Sequence, residues 1–341
     1  MACTSGKNKW PMVKAFVFGK FLPFHKGHEA MIRFALQHCD VLSIMVCEDS
    51  REHIPGELRK SWIESTFPDH RNIEIKVFPY DHEVLPNSSE TSASISEIWA
   101  AEFRKHYPDH TLLITSEPYG ELVARFMGIK HIPFDPDKQQ VPVSATMIRS
   151  DTFTNWQHLP DAVKPHFALM VVILGTESTG KTTLTEQLAH HFNCSYVLEA
   201  GRDLIPDSTR FKFDDLLLVA NEHAKRINTA VKGDSGLVII DTDIHITASY
   251  AQFAFGKELP VPTEIYNANK ANLYLYLDND VPYYQDGTRL AEAERDQLDR
   301  SHRKVLAAHN INITEISGDW PARFEQAVAA VSQLIKNNTT L

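Results

Sequence analysis

Short apolar runs alternate with amphipathic segments along both halves of the chain. In the first half, the runs at 15–18, 41–47 and 112–115 predict buried strands. The second half repeats this alternation, with strands predicted at 167–174, 195–198, 237–240, 273–277 and 311–316. Helical spacing of apolar residues fills the intervals, and strands separated by helices form parallel sheets. The pattern therefore predicts an α/β protein with two doubly wound parallel-sheet domains.

A polar segment with two prolines separates the two series of strands. Residues 150–166 contain Pro160 and Pro165 and precede the long apolar run of the second half. We place the domain boundary there, which gives a first domain at 12–155 and a second at 166–341.

The sequence GTESTGKT at 175–182 lies between a predicted strand and a predicted helix, which is the setting of a phosphate-binding loop. Its glycines let backbone N–H groups approach phosphate oxygens, and the helix N-terminus favours negative charge. Lys181 is the predicted catalytic cation at the β- and γ-phosphates, and Thr182 is a predicted Mg²⁺ ligand. The predicted nucleotide-binding residues are Gly175, Thr176, Glu177, Ser178, Thr179, Gly180, Thr182 and Thr183.

Carboxylates follow the next predicted strands of the second half. Glu199 can accept a proton from a substrate hydroxyl or bind its hydroxyl groups, and the neighbouring Arg202 could neutralise phosphate charge. An ordinary ion pair at the start of a helix is the alternative for these two residues. Asp241 and Asp243 follow the strand at 237–240, and we favour Asp241 as the metal-side carboxylate because it comes first after the strand. These residues predict a P-loop kinase site.

A charged stretch near the end of the chain carries several arginines. In small-molecule kinases such a segment often forms a lid that closes over the phosphates, so we predict nucleotide contacts for Arg289 and Arg295. For Arg303 we favour a solvated position on a helix face.

The first half contains a second candidate site for phosphate chemistry. His25 and His28 lie in the turn after the strand at 15–18, with Gly27 between them. Gly27 allows a phosphate to approach the backbone, and the imidazoles can donate hydrogen bonds as charge moves onto leaving pyrophosphate. The turn therefore predicts a site for phosphate chemistry.

The residues GKFLPFHKGH at 19–28 resemble the signature of the nucleotidylyltransferase superfamily, and VSATMIR at 143–149 resembles its second signature. The resemblance implies a Rossmann-like HxGH domain in which the serine and threonine begin a helix and the arginine meets the triphosphate. It also implies that a basic pair, here Arg51 and Arg59, handles phosphate. The further residues that it implies are Gly19, Lys20, Phe21, Gly27, Ser144, Thr146 and Arg149.

Taken in order, these motifs resemble the bifunctional nicotinamide-nucleotide adenylyltransferase/ribosylnicotinamide kinases of the NadR type. The segments SEPYG, EAGR, DTD and DGTR add to this resemblance. It implies that a P-loop kinase domain converts nicotinamide riboside to NMN with ATP, and that the HxGH domain converts NMN and ATP to NAD and pyrophosphate. Mg²⁺ would accompany ATP in both domains.

Two features depart from the family pattern. About fifteen residues precede the first predicted strand, too few for the helix-turn-helix domain of many members, so we expect no repressor role. Relatives place aromatic residues beside the EAGR segment to stack on the nicotinamide ring, whereas Leu198 and Ala200 stand there in this chain. Other aromatics that could take this role are Phe211, Phe213 and Tyr196.

Other interpretations stay open at this point. A coenzyme A synthase-like fusion has the same two domain types, and a nucleotide-sensing regulator with weak catalysis would keep the binding motifs. The segments SEPYG and EAGR argue against the first alternative, and the intact site residues argue against the second. Trp99 is equally compatible with stacking on a substrate and with the core.

Composition narrows the setting of these reactions. The 341 residues carry a formal net charge of −10, which disfavours a nucleic-acid partner. The four cysteines show no metal-ligand spacing, which favours free thiols in a reducing cytoplasm. No apolar run approaches the ~20 residues of a membrane span. We expect a cytoplasmic enzyme with small-molecule substrates, and the sequence leaves a homo-oligomer open.

Overall fold

The computed structural model describes residues 12–86, 92–205, 211–281 and 292–340. The chain divides into two compact units. The first takes the residues up to 150 together with 158–163, and the second takes 151–157 and the residues from 164 onward. The connecting segment thus contributes to both units in turn.

The first unit contains a five-stranded parallel sheet with the order β3-β2-β1-β4-β5. Its strands are β1 (Lys14–Gly19), β2 (Val41–Asp49), β3 (Ile73–Tyr80), β4 (Leu112–Thr115) and β5 (Lys130–Pro133). Its helices are α1 (Lys26–Leu36), α2 (Gly56–Thr66), α3 (Ala93–His106), α4 (Tyr119–Met127) and α5 (Ala145–Ser150). The strand order reverses between β1 and β4, and ligands of such sheets bind beyond the strand ends at this point.

The second unit contains another five-stranded parallel sheet, with the order β10-β9-β6-β8-β7. Its strands are β6 (Leu169–Leu174), β7 (Ser195–Val197), β8 (Leu237–Asp241), β9 (Leu273–Leu277) and β10 (Ile313–Ile316). A 3₁₀ turn spans Trp156–His158, and α6 is Lys164–Phe167. The other helices are α7 (Lys181–Phe192), α8 (Gly201–Leu204), α9 (Phe213–Ala230), α10 (Ile244–Phe255), α11 (Thr263–Ala268), α12 (Glu292–Ala308) and α13 (Trp320–Asn337).

Apolar side chains fill the space between sheet and helices in each unit. Phe16, Met45 and Leu113 of the first sheet pack with α3 and α4, and burial of this apolar area stabilises the layer. Val171, Ile239 and Leu275 form the equivalent core of the second unit. The prediction of two doubly wound parallel sheets is confirmed.

Trp99 belongs to the core of the first unit. Its ring is 3% exposed and lies between Phe18 and Tyr80, with centroid distances of 6.3 and 5.3 Å. Its indole N–H donates to the carbonyl oxygen of Pro86 at 2.9 Å. The structure therefore places Trp99 among the core aromatics of the first unit.

None of the described helices has the length and apolar character needed to cross a membrane.

Candidate active sites

The histidine turn of the first unit connects β1 to α1 at the reversal point of the sheet. His25 is the N-cap of α1, and its Nδ1 accepts hydrogen bonds from the backbone N–H groups of Gly27 and His28 at 3.1 and 3.3 Å. Because Nδ1 accepts, the proton of the neutral ring lies on Nε2. The turn thus fixes both the orientation and the tautomer of His25, and leaves Nε2–H as a donor.

His25 and His28 lie against each other as stacked rings, with their centroids 3.7 Å apart. Burial lowers the pKa of His25 to about 3, assisted by the nearby cations of Lys138 and Arg149. Burial also lowers the pKa of His28, and the neighbouring His25 and Lys138 act in the same direction. Both imidazoles are therefore neutral hydrogen-bond donors at neutral pH, which suits stabilisation of charge developing on a phosphate.

Gly27 has no room for a side chain. A Cβ atom there would lie 2.9 Å from the His25 ring and 3.3 Å from Val143. Phe21, by contrast, is buried and packs edge-on against the His28 ring at 4.9 Å, while the Gly19 backbone lies against the Phe21 ring. Phe21 and Gly19 therefore support the histidine turn through packing contacts.

The second signature, at 143–149, lies beside the histidine turn. The Ser144 hydroxyl accepts from the backbone N–H of Met147 at 3.2 Å at the start of α5, as an N-cap does. Arg149 donates to the carbonyl oxygen of Leu22 in the histidine turn and to the Thr146 hydroxyl. The structure thus brings Arg149 and Thr146 to the turn that carries the two histidines.

Arg51 and Arg59 occupy different environments. Arg51 is exposed and pairs with Asp49. Arg59 is fully buried, donates to the carbonyl oxygens of Lys20 and Cys47, and pairs with Glu52 at 2.8 Å. This placement disagrees with the expectation that Arg59 meets phosphate, because its guanidinium is already occupied by the protein and holds the histidine turn to β2.

Lys20 also has a partner within the protein. Its ammonium pairs with Glu52 at 2.8 Å and lies 5.9 Å from the centre of the Tyr80 ring. The side chain remains about one-third exposed. Lys20 is therefore the more accessible of the two cations that share Glu52.

Sequence reasoning missed Lys138. It lies on the segment between β5 and α5, which returns to the histidine turn at Val143. Asp135 holds this segment by accepting backbone N–H groups of Gln139, Gln140 and Val141 at 2.8 to 3.1 Å. Burial is the main cause of the lowered pKa of both histidines, and the ammonium of Lys138 lowers it further. Only the tertiary path of the segment brings this cation to the site.

The phosphate loop of the second unit connects β6 to α7. Gly175, Ser178 and Gly180 have positive φ values of 138°, 65° and 86°, which close the loop and place Gly180 at the N-cap of α7. A Cβ atom on Gly175 would lie 2.8 Å from the backbone oxygen of Leu277 on the neighbouring β9. Both glycines are therefore required by the backbone path.

Hydrogen bonds within the loop fix its shape. The Thr179 hydroxyl donates to the carbonyl oxygen of Thr176 at 2.8 Å, and Lys181 Nζ donates to the same oxygen at 2.9 Å. The hydroxyl of Thr176 donates to Asn279 at 2.6 Å, and Arg295 donates to both Thr176 and Asn279. Arg295, for which the sequence predicts a nucleotide contact, is buried and hydrogen-bonds to the loop and to Asn279 instead of reaching into solvent as a lid residue would. Asn279 gave no signal in the sequence.

Asp241 and Asp243 have different roles. The Thr182 hydroxyl donates to Asp241 Oδ2 at 2.5 Å, and Asp241 is fully buried. Asp243 caps α10, where it accepts backbone N–H groups of His245 and Ile246, and it also pairs with the His245 ring. The geometry therefore agrees with the choice of Asp241 as the carboxylate beside the loop.

A cavity of about 640 Å³ opens in front of the loop. Its polar wall includes Lys181, Thr183, Glu199 and Arg202, and its apolar wall includes Ile205, Phe211, Leu216, Val219 and Ile246. Burial raises the pKa of the Glu199 carboxyl, and the nearby Asp241 acts in the same direction, while Lys181 opposes them. A carboxylate with a raised pKa beside a phosphate-binding lysine is suited to accept a proton from a hydroxyl.

Aromatic side chains complete the cavity. Phe211 lines it directly, as does Tyr250, whose hydroxyl donates to Glu177 at 3.3 Å. Phe213 packs edge-on against Phe255 and is not part of the cavity lining. Tyr196 is 48% exposed and lies outside the cavity lining.

Three other arginines named in the sequence predictions have different positions. Arg202 is exposed and lies 3.6 Å from Glu199. Arg303 forms ion pairs with Asp299 and Glu315 instead of standing free on a solvated helix face. Arg289 and the DGTR segment lie outside the described residues.

Comparison with known proteins extends these observations. Residues 170–323 match a family model described as an AAA domain. The chain is 28% identical over 352 residues to the trifunctional NAD biosynthesis/regulator protein NadR of Escherichia coli, covering 94% of this chain and 82% of that protein. The expected resemblance to the NadR type is confirmed.

Two further proteins are similar to this chain, one over part of its length and the other over nearly all of it. A nicotinamide-nucleotide adenylyltransferase of Ignicoccus hospitalis is 27% identical over 139 residues, 37% of this chain and 74% of that protein. A crystal structure of a NadR protein in complex with NR has a TM-score of 0.66 at 21% identity, covering 95% of this chain and 96% of that chain. The fold seen here is therefore that of NadR over nearly the whole chain.

Proposed function

We propose that this chain is a bifunctional enzyme of NAD biosynthesis, with a nicotinamide-nucleotide adenylyltransferase in the first unit and a ribosylnicotinamide kinase in the second. The observation that carries the proposal is that a chain similar to NadR over 94% of its length holds two phosphate-handling turns. Each follows the first strand of its own parallel sheet. The product of the kinase reaction, NMN, is the substrate of the adenylyl transfer.

In the proposed kinase reaction, the ribose 5′-hydroxyl oxygen of nicotinamide riboside attacks the γ-phosphorus of ATP, and the bond to ADP breaks. Glu199 is the acceptor of the hydroxyl proton, since its raised pKa and its place beside Lys181 suit that role. Lys181 stabilises the charge on the transferring group. Phe211 is the aromatic residue we assign to the nicotinamide ring, because it lines the cavity and Tyr196 does not.

In the proposed adenylyl transfer, a phosphate oxygen of NMN attacks the α-phosphorus of ATP, and pyrophosphate leaves. No nucleophilic side chain is required, so the protein contributes positioning and charge stabilisation. His25 and His28 donate from neutral imidazoles, and Arg149 adds a fixed positive charge at the same turn. Lys138 supplies a further cation.

Mg²⁺ fits the kinase site. Thr182 Oγ1 and the buried Asp241 carboxylate lie together beside the loop and would hold the ion, directly or through water. Among the described residues no cluster of three His, Cys, Asp or Glu side chains could hold a metal. Waters and phosphate oxygens would complete the coordination. When bound, Mg²⁺ neutralises charge on the triphosphate.

We also propose that the enzyme works in the cytoplasm on small-molecule substrates. Cys39, Cys47 and Cys194 are free thiols, which agrees with a reducing compartment.

Two assays on one preparation test the proposal. The first supplies ATP, Mg²⁺ and NMN and measures NAD and pyrophosphate, and the second supplies ATP, Mg²⁺ and nicotinamide riboside and measures NMN. We expect product in both. A parallel reaction with 4′-phosphopantetheine serves as control, and turnover of that compound without turnover of NMN would contradict the assignment.

A further inference from the structure

Trp320 is the first residue of α13, and the proposed reactions assign it no role. Its side chain is 54% exposed, whereas Trp62, Trp99 and Trp156 are 3% exposed or less. A large aromatic side chain held at the surface beside a binding loop indicates a contact surface for a ligand.

The ring lies directly against the phosphate loop. A Cβ atom built on Gly180 would come within 2.3 Å of Trp320 Cζ3, so the indole occupies the space beside the second glycine of the loop. Trp320 lines the cavity that contains Lys181 and Thr182, and it also borders an outer groove with Thr183 and Gln187. The indole is therefore located where the loop and its helix meet solvent.

The start of α13 is firmly attached to the loop. Arg323 is 1% exposed and donates to the carbonyl oxygens of Thr179, Gly318 and Asp278 at 3.1, 2.8 and 2.9 Å. Its guanidinium carbon lies 5.5 Å from the centre of the Trp320 ring. Asp319 caps the helix by accepting the N–H of Ala322 at 3.0 Å. These bonds hold the indole in a fixed position relative to the phosphates that the loop would bind.

An indole at this position is suited to stacking on a nucleobase. The loop and Lys181 accommodate the triphosphate, while the flat face of the indole stacks well on a planar base. A purine presents more stacking area than a pyrimidine, so the contact favours purine nucleotides.

We propose that Trp320 is the stacking platform for the base of the nucleotide that the phosphate loop holds. This inference rests on the proposed kinase function, and it adds a residue that determines nucleotide specificity. The ring orients the base, and with it the triphosphate, before phosphoryl transfer.

The test compares ATP with tripolyphosphate, which can occupy the loop but has no base. For Trp320→Leu we expect the KM for ATP in the kinase assay to rise about tenfold, the scale of one lost base–aromatic contact. The inhibition constant of tripolyphosphate should stay the same, and the KM for nicotinamide riboside should not change. Trp320→Phe should retain most of the affinity for ATP, and Tyr196→Leu, which removes an exposed aromatic outside the cavity, should behave as wild type.

Two results of this test would overturn the proposal. One is an unchanged KM for ATP in Trp320→Leu. The other is an equal weakening of ATP and tripolyphosphate, which would mean that Trp320 only supports the shape of the loop.

A binding measurement without turnover separates this proposal from the proposed function. We expect ADP to quench a component of the tryptophan fluorescence in the wild type that is absent in Trp320→Phe. This difference should persist even if nicotinamide riboside is not phosphorylated. Equal quenching in the two proteins would place the base elsewhere and refute the stacking role.

Discussion

The histidine turn at 19–28 and the phosphate loop at 175–182 both follow the first strand of a parallel sheet, yet they offer phosphate different chemistry. The first presents two stacked imidazoles whose pKa values are lowered by burial. The second presents a tightly turned backbone and the ammonium of Lys181 at the start of α7. One topology thus supports neutral hydrogen-bond donors in one unit and a fixed charge in the other.

This contrast follows from what surrounds each turn. His25 is 5% exposed, and the cations Lys138 and Arg149 stand close to it, so a second proton on the ring is strongly disfavoured. Around the phosphate loop, buried Asp241 and part-buried Glu199 supply negative charge instead. The first site therefore gathers positive charge around neutral donors, and the second pairs a cation with carboxylates.

The largest expected effect is on the kinase. Lys181→Ala should lower its kcat by about 10³-fold or more, because a cation at the transferring phosphoryl group is lost. The adenylyl transfer should be unaffected, since its cations belong to the other unit. Parallel measurement of NMN and NAD formation checks this, and loss of both activities in folded protein would contradict separate sites.

A smaller loss is expected at the histidine turn. His28→Ala should slow adenylyl transfer by about 10²-fold, the scale of one removed hydrogen-bond donor to a developing charge. The kinase activity serves as the internal control. His28→Asn, which keeps an N–H donor, should recover part of the rate, and a variant as inactive as His28→Ala would argue that ring stacking matters more than donation.

Lys138 should contribute less to adenylyl transfer than His28, because its side chain is only part-buried. We expect Lys138→Ala to weaken adenylyl transfer about tenfold, as suits one partly solvated cation. Lys138→Arg should remain close to wild type. If the two variants are equally impaired, the shape of the segment, not its charge, supports the histidine turn.

The smallest effect is a pH dependence of stability. Folding lowers the pKa of His25 from its usual value of 6.5 to about 3, so between these values the unfolded chain binds more protons than the folded one. This contribution to stability is present above pH 6.5 and is lost progressively as the pH falls toward 3. Thermal unfolding followed from pH 8 to pH 5 should show a falling Tm below about pH 6.5.

His25→Gln is the matched variant for this measurement. It removes the titrating ring, so its Tm should fall less steeply over the same range than that of the wild type. An equal slope in the two proteins would assign the acid sensitivity to other groups, such as His302, whose pKa burial also lowers to about 3.

Much of the fold could be predicted from the sequence because the central strands are continuous apolar runs. Strands β1, β2, β6, β8 and β9 lie within a residue or two of the predicted ranges. The edge strands β3 and β5 give weak signals, since their residues are only part-buried and β5 has just four residues. Helix α10 is apolar nearly all round, so it lacks the one-sided spacing that identifies a surface helix.

The candidate sites, like the fold, were predictable only in part from the sequence. The two turns could be identified from the sequence, because in each a strand, a glycine-containing turn and a helix follow one another along the chain. Tertiary structure decided the partners: Asp241 reaches Thr182 across 59 positions, and Asp243 caps a helix instead. It also buried Arg59 under the histidine turn and brought Trp320 to Gly180. Hydrophobic periodicity and the hydrogen bonds within helices are local and can be predicted from the sequence, whereas strand pairing and side-chain partners depend on how distant segments pack.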